Sequence, residues 1–514
     1  MATSWDLFFS YRRHDLDRAR SLLQALAELG VRVWRDENDI PDQASITGEI
    51  RHGIAHSKAL LAFYSRTYPL SNPCQQELTT AWLAAQQIDQ TAHRRIWIVN
   101  PEQNFDHVPE LLRDQQIPRL TGNGSHVHAL AQRIRDRLNT LSAIWLGSGV
   151  RDLPTPAYHG MRPLQARRFA GRAKEFWDLH GKLTANRLSI ITGVYGQAVA
   201  EVRSMGGNGK SLLAREYSIR FGPAYPGGVF WFNAYGHDDT KGPLSSEQRE
   251  ALRQDQLRAF STELQVQTEG LKPSEIETHF WQAIENRGEP CLWIVDDVPS
   301  GFHPTELESA WIARWAGAST LLTTRSQEYG ALGDVLDLAV LSSGEAFGLL
   351  CSQRQPANNT EQTAAQQIVE LLGYHPLAVD VAGSYLAQGV DVFESYRQAL
   401  ANPMEDAVEF GKVLKENLPT GHERSISATL LKSIRQLEAE GLDCLRLASV
   451  LAVSPIPVNL ISGVFDLLGV GDTAKRYSVK AVNQVGALSL CERSGEEARI
   501  VHTLVSRTMR FQFP

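Results

Sequence analysis

Along roughly the first 140 residues, short apolar runs alternate with apolar stripes at helical spacing. Trp5-Asp6-Leu7-Phe8-Phe9 reads as a strand, and Leu16, Ala19, Leu22, Leu23, Leu26 and Leu29 follow at a helical period until Gly30 stops the helix. Val31-Arg32-Val33-Trp34 is the next strand. A charged loop over residues 35–45, broken by Pro41, leads into a helix with Ile46, Ile50 and Ile54. Ala59-Leu60-Leu61-Ala62-Phe63-Tyr64 and Ile96-Trp97-Ile98-Val99 have the unbroken apolar character of buried parallel strands. The alternation predicts a doubly wound α/β sheet, closed at its end by a helix with Leu130, Ile134, Leu138 and Leu141. A first domain over residues 1–141 is expected.

Gly147-Ser148-Gly149, Pro154, Pro156, Gly160 and Pro163 then collect with little periodicity, which predicts a linker over 142–167. Over 168–338 a helix with Phe176, Leu179 and Leu183 precedes three apolar strands, Val229-Phe230-Trp231-Phe232, Leu292-Trp293-Ile294-Val295 and Thr320-Leu321-Leu322-Thr323-Thr324. Ala346, Leu349 and Leu350, then Ala364, Ile368, Leu371 and Leu372, then Leu377, Val381, Ala382 and Leu386 mark the helices of a small helical domain over 339–415. Over 416–514, helices around Leu430, Ile434, Leu437, Leu445 and Leu447 give way to short strands at Ala487-Leu488-Ser489-Leu490 and Arg499-Ile500-Val501, a mixture that fits a winged helix. The expected fold class is α/β multidomain.

Composition narrows the partners. The chain has 514 residues, 51 Lys+Arg against 58 Asp+Glu and a formal net charge of −7, which offers no electrostatic case for nucleic acid or a membrane surface. No basic N-terminal region precedes an apolar run, and no segment approaches the ~18 apolar residues of a membrane span. Five widely spaced cysteines, Cys74, Cys291, Cys351, Cys444 and Cys491, lack the close pairs of a zinc site and suit reduced thiols in a cytoplasm.

The sharpest chemistry lies in Ser204-Met205-Gly206-Gly207-Asn208-Gly209-Lys210-Ser211, between the apolar run Val199-Ala200-Glu201-Val202 and Leu212-Leu213-Ala214. A glycine-rich turn between strand and helix presents backbone N–H groups to an anion, Lys210 meets β/γ-phosphates and the Ser211 hydroxyl binds Mg²⁺. The usual pattern has glycine where this chain has Ser204. Downstream, Asp296 and Asp297 end an apolar strand, where Asp296 would hold Mg²⁺ and Asp297 would orient or deprotonate an attacking water. The bland reading of that pair is a turn or helix cap. Arg325, at the end of another strand, is either a γ-phosphate sensor or an ordinary surface charge.

Leu7-Phe8-Phe9-Ser10-Tyr11, Val33-Trp34-Arg35-Asp36, the helix of Ile46, Ile50 and Ile54 ending at Ser57, and then Tyr64-Ser65, Tyr68, Ser71, Cys74 and Glu77-Leu78 resemble a Toll/interleukin-receptor (TIR) domain. The resemblance implies a flavodoxin-like sheet and one of two activities: a scaffold that only assembles, or an enzyme that cleaves the nicotinamide–ribose bond of NAD⁺. In the enzymes a glutamate follows a Ser-x-x-Cys-x-x-Glu spacing, which here falls on Ser71, Cys74 and Glu77. A carboxylate suits the oxocarbenium-like charge left on ribose as nicotinamide departs, so Glu77 is the catalytic candidate. Its bland alternative is a carboxylate that complements a helix dipole. Asn72-Pro73 departs from the family's usual aromatic before the cysteine, although proline suits a first helical turn. By the same resemblance Phe9, Ser10, Arg12, Ser71 and Cys74 bind NAD⁺, and the loop over residues 36–45 mediates self-association.

The phosphate loop, the acidic strand, Gly373-Tyr374-His375-Pro376-Leu377-Ala378 and Val501-His502-Thr503 resemble, in that order, the NB-ARC module of the STAND signalling ATPases. The resemblance implies that Arg172, Gly206, Gly207, Asn208, Gly209, Lys210, Ser211, Leu212, Arg325, Pro376 and His502 bind ATP or ADP, with proline against adenine and histidine on the β-phosphate. His375 is an insertion-like departure, and Val501 and Thr503 replace the family's Met and Asp, so His502 is alternatively a core or surface histidine. Relatives usually continue into sensor repeats; no repeat period is found here, so either the product is truncated or sensing uses these domains or another polypeptide.

The whole predicts a cytoplasmic, ADP/ATP-switched protein that self-associates on an unnamed trigger, such as a phage or pathogen component, and hydrolyses NAD⁺ in antiphage or innate-immune-type defence. The alternatives are a non-enzymatic TIR scaffold and an ATP-controlled transcription regulator using its winged helix.

Overall fold

The computed structural model describes the chain apart from residues 1–3, 36–45, 90, 114–119, 121–123, 152, 162, 164–168, 170, 187, 194–208, 235–243, 300–301, 325–328, 330–331, 390, 403, 405–406, 408, 413–422, 452–455, 468–473, 494–497 and 513–514. It divides into two compact units, one of residues 1–156, 171–185 and 220–226, the other of 157–170, 186–219 and 227–514.

In the first unit, strands β1 (Trp5–Ser10), β2 (Val33–Trp34), β3 (Ser57–Phe63) and β4 (Ile96–Val99) form a parallel sheet in the order β2-β1-β3-β4. Leu7, Phe8 and Phe9, and the five residues Ala59, Leu60, Leu61, Ala62 and Phe63, are all buried, as strands covered on both faces require. Helices α1 (Leu16–Glu28), α2 (Ile46–Ala55), α3 (Asn72–Ile88) and α4 (Gly124–Asn139) accompany them. Leu22 and Leu26 of α1 share a core with Leu130 and Ile134 of α4. Chain connections leave β1 toward β2 on one side while β3 pairs on its other side, which makes their carboxyl ends the topological switch point of the sheet, where open α/β sheets bind ligands.

The segment expected to begin a linker is packed instead. Arg95, 1% exposed, donates to the carbonyl oxygens of Lys58 (2.9 Å) and Ile144 (2.7 Å), to Ser142 Oγ (2.8 Å) and to Asp89. Helix α5 (Gly147–Arg151) follows, with a Cβ at Gly147 due to fall 2.2 Å from the Ala55 carbonyl oxygen and one at Gly149 due to fall 2.5 Å from that of Ala84. The Gly-Ser-Gly run that suggests flexibility in sequence is glycine for close approach. Helix α6 (Ala173–Asn186), expected to open the nucleotide module, lies largely in the first unit as well. Its Trp177 donates to Gln75 Oε1 (3.3 Å) and meets the Trp82 and Phe221 rings edge-on, each at 5.3 Å.

The second unit holds β5 (Tyr158–His159), β6 (Leu188–Gly193), α7 (Lys210–Arg220, whose last residue counts with the first unit), β7 (Val229–Asn233), α8 (Ser246–Glu263), α9 (Pro273–Arg287), β8 (Cys291–Val298), β9 (Ala318–Thr324) and β10 (Asp334–Leu338). The strands form one parallel sheet, β10-β6-β9-β8-β7-β5. Thus β9 is inserted between β6 and β8, which carries the two acids; the apolar run 199–202, expected as the strand before the glycine-rich loop, lies outside the described residues. Phe230, Phe232, Phe280, Trp281 and Trp311 surround Trp293, whose indole donates to the Trp311 carbonyl oxygen (2.7 Å).

Helices Ser343–Leu350, Asn359–Leu371, Pro376–Ala387 and Phe393–Ala401 share one hydrophobic core with the helices Glu423–Ile434, Ala439–Val450, Val458–Phe465, Ala474–Ala487 and Thr503–Gln512. Strands Ile456–Pro457, Ala498–Val501 and Cys491–Arg493 add a small antiparallel sheet in that spatial order. Among the described residues no helix is long and apolar enough to cross a membrane.

Trp293 anchors the strand that ends in Asp296 and Asp297. Trp293→Ala is expected to lower the unfolding free energy by about 3–5 kcal/mol in a denaturant titration, and a loss below about 1 kcal/mol would show that the ring cluster does not hold β8.

Candidate functional site

Two constellations form at the carboxyl ends of the two parallel sheets. In the first, β1 ends at Ser10, which is 1% exposed, and α3 brings Glu77 to it. Ser71 caps α3 by accepting from the Cys74 backbone N–H (3.5 Å), and Pro73 sits in the first turn, where its missing N–H costs no helical hydrogen bond. Glu77, half-buried in the next turn, therefore faces the strand end: Ser10 Oγ donates to its Oε2 at 2.5 Å. The fully buried Tyr68 places its phenol 2.7 Å from Ser10 Oγ and 3.1 Å from the Cys74 carbonyl oxygen.

The other candidates of this domain take distinct positions. Arg12 donates to the Thr67 carbonyl oxygen (3.3 Å) at the same strand ends. Phe9 is buried in the core, its ring 5.7 Å from Tyr11 and 6.4 Å from Phe63. Cys74 is buried and donates to the Tyr11 carbonyl oxygen (3.5 Å), tying α3 to the turn after β1. Burial, reinforced by the Glu77 charge, pushes the Cys74 thiol up to about 12, so it stays protonated. The loop at 36–45 lies outside the described residues.

Beneath this pair lies a cluster that sequence reading did not single out. Asp15, 1% exposed, accepts from Ser65 Oγ (2.5 Å), Thr67 Oγ1 (3.1 Å) and Arg18 Nη1 (3.2 Å). Asp15 and the exposed Asp17 stand two apart in one charged stretch, and nothing in the sequence distinguishes them.

The second constellation joins α7 to β8 and β9. Gly209 has φ +83°, the left-handed region glycine favours, and its carbonyl oxygen accepts the Leu213 N–H (2.7 Å) as α7 opens. Ser211 Oγ then donates to Asp296 Oδ1 at 2.7 Å, and Thr323 Oγ1 donates to the same oxygen at 2.5 Å. Thr323 Oγ1 also accepts the Asp297 backbone N–H (2.9 Å), and Asp297 has φ +61°, a conformation in which aspartate is tolerated at some strain. Thr323 was legible only as a strand residue; its role follows from the insertion of β9 between β6 and β8. Burial and the neighbouring Asp297 raise the pKa of Asp296. A serine hydroxyl beside a carboxylate is a hard-oxygen donor set that fits Mg²⁺, which is held by one or two protein oxygens with phosphate and water completing its shell.

Lys210 and Leu212 flank Ser211 on the opening turn of α7, both half-buried. Ser204, Gly206, Gly207, Asn208 and Arg325 lie outside the described residues. Pro376 starts its helix, with His375 as the cap: His375 Nδ1 accepts the Ala378 N–H at 3.3 Å, which gives the additional histidine a local role. Gly373 and Tyr374, at φ +57° and +56°, turn the chain into that cap. His502 Nδ1 accepts the Leu504 N–H (3.1 Å) at the start of the last helix. Arg172, at φ +62°, donates to Glu175 Oε1 (2.9 Å) and belongs to the first unit, whereas Lys210, Ser211 and Asp296 belong to the second.

A model of the TIR domain family matches residues 7–135, and that segment is a TIR domain. No curated protein matches the chain. Among similar solved structures, a STAND protein with a tetratricopeptide repeat sensor from Pyrococcus horikoshii is 20% identical with a TM-score of 0.40 over 68% of this chain, which spans 43% of that protein's length. A Walker-type ATPase of Pyrococcus abyssi is 15% identical with a TM-score of 0.35, over 68% of this chain and 98% of that one. The TIR domains of the activated Roq1 resistosome, which recognises the pathogen effector XopQ, are 19% identical with a TM-score of 0.19, over 29% of this chain and 84% of that one. With TM-scores this low, the functional case rests on the residues themselves.

A thiol held at about 12 does not alkylate at pH 8. Peptide mapping after iodoacetamide treatment of the native chain is expected to leave Cys74 unmodified, with the partly exposed Cys491 the first to react. Rapid labelling of Cys74 would contradict its burial.

Proposed function

We propose that the chain is a nucleotide-switched signalling protein whose TIR domain hydrolyses NAD⁺. The single observation that carries the reading is the 2.5 Å contact between Ser10 Oγ and Glu77 Oε2 at the carboxyl end of a parallel sheet, where such folds bind ligands. Ser10 fixes one carboxylate oxygen of Glu77. That carboxylate stabilises the positive charge on ribose C1′ as the bond to nicotinamide breaks, the leaving group keeping the electron pair. Water then adds at C1′ and releases a proton, giving ADP-ribose. Arg12, beside the same strand ends, supplies a charge for the substrate's phosphates, and Ser71 and Cys74 shape the start of α3.

ATP or ADP would be held by the loop ending at Gly209, with Lys210 on the phosphates and Ser211 and Asp296 as the Mg²⁺ ligands. Mg²⁺, when bound, supplies neutralisation of phosphate charge. Asp297 orients the attacking water, while the Thr323 hydroxyl holds the Asp296 carboxylate and the Asp297 backbone in place. We read the residues over 339–415 and 416–514, the latter with its helix–helix–strand–helix–helix–strand–strand–helix order among the described residues, as helical and winged-helix lids. In this reading ADP holds the lids closed, and ATP permits self-association that brings TIR domains together. The setting is cytoplasmic defence, with a phage or pathogen component as the class of trigger.

NAD⁺ consumption at high protein concentration with ATP and Mg²⁺ tests this. Wild type is expected to consume NAD⁺, Glu77→Ala to lose about 100-fold or more, and Lys210→Ala to lose activity through the switch. Intact NAD⁺ in a preparation that visibly assembles would replace the enzyme with a TIR scaffold.

A further inference from the structure

We propose that Tyr68 is a positioning residue for Glu77: its phenol donates to Ser10, which directs the only proton of Ser10 at the Glu77 carboxylate and favours the ionised form. The inference rests on the reading of Glu77 given above. Ser10 Oγ carries one proton and donates it to Glu77 Oε2 at 2.5 Å. The 2.7 Å contact between Ser10 Oγ and Tyr68 Oη is compatible with either hydroxyl as donor, and with the Ser10 proton on Glu77 we assign the phenol to that role. Tyr68 also points at the Cys74 carbonyl oxygen, at 3.1 Å, so its proton is shared, with the shorter contact on Ser10. Burial, with the nearby Cys74 and Glu77 acids, raises the Tyr68 phenol well above its usual range, so it remains a donor at any working pH.

Tyr68 is itself fixed from beneath. Ser65 Oγ accepts the backbone N–H groups of Thr67 and Tyr68, each at 3.2 Å, and donates to the buried Asp15. The Tyr64 ring packs 4.7 Å from that of Tyr68. Among the described residues, the titratable and charged groups facing the Tyr68–Ser10–Glu77 chain include Arg12 from the turn after β1, Tyr64 from the end of β3 and Cys74 from α3. Tyr64 and Cys74 are buried and raised by burial, hence neutral, and among the described residues named here Arg12 is the cation. A chain of donors ending on a carboxylate stabilises its charged form, and successive bonds polarise one another. Tyr68 thus acts on the reaction through Ser10, without touching substrate.

The test is a pH titration of full-length protein labelled with ¹³Cδ glutamate, the Glu77 signal being assigned by its loss in Glu77→Gln. Ser10→Ala is expected to raise the Glu77 pKa by about one pH unit and Tyr68→Phe, which keeps the ring, by about half a unit. The acidic limb of the NAD⁺ cleavage profile moves up with them, whereas a purely structural loss would lower the rate equally at every pH. An unmoved Glu77 titration in folded Tyr68→Phe overturns the proposal, even where Ser10→Ala shifts it. Should Tyr68→Phe fail to fold, Ser65→Ala, which frees the Tyr68 turn, carries the same expectation and the same refutation. A wild type that leaves NAD⁺ intact counts against the enzyme reading alone, because the carboxyl titration still decides the role of Tyr68.

Discussion

A hydroxyl held against a carboxylate, across the carboxyl ends of parallel strands, organises both α/β sheets of this chain. Ser10 meets Glu77 in the first, and Ser211 with Thr323 meets Asp296 in the second. Each carboxylate is partly withdrawn from water, and a charge in that position is tolerated only with hydrogen-bond donors on it. The strand ends supply such donors because parallel strands all finish at the same edge. The same edge is where a ligand enters, so the feature that makes the carboxylates tolerable also makes them available for chemistry.

The packing behind each pair explains how the donors keep their places. In the first sheet, Asp15 fixes the Ser65 turn, which fixes Tyr68, and Arg95 fastens the strand starts to Ser142 and Ile144. A buried arginine with every guanidinium nitrogen bonded to carbonyl, hydroxyl or carboxylate oxygens is stable where an unmatched one is not. In the second sheet, the aromatic cluster around Trp293 sets β8 between β7 and β9. The order of those strands, more than any single contact, carries the Thr323 hydroxyl to the acids.

Glycine plays two opposite parts. Gly209 stands at positive φ with open space where a Cβ would be, so the backbone requires it. Gly147 and Gly149 have no such conformation; neighbouring carbonyl oxygens occupy the space a side chain would need. The sequence marked Gly209 as part of a phosphate-binding turn but read Gly147 and Gly149 as linker, and only their neighbours show the close packing.

Apolar runs and helical stripes in the sequence determined the four strands of the first sheet and β7, β8 and β9 of the second, since a strand covered on both faces must be apolar throughout and a helix on a sheet must be apolar on one side; β5, β6 and β10 were not legible there. Motif spacing likewise determined Cys74 and Glu77 on one helix with Ser71 as its cap, and Lys210 and Ser211 on the opening turn of another. What only the tertiary structure decided is everything that depends on residues distant in the chain. Asp15 became a buried acceptor while Asp17 stayed in water, Thr323 became a partner of Asp296, and the helix of Trp177 joined the first unit. These outcomes turn on strand order and close packing, and neither is encoded in the local period of apolar residues.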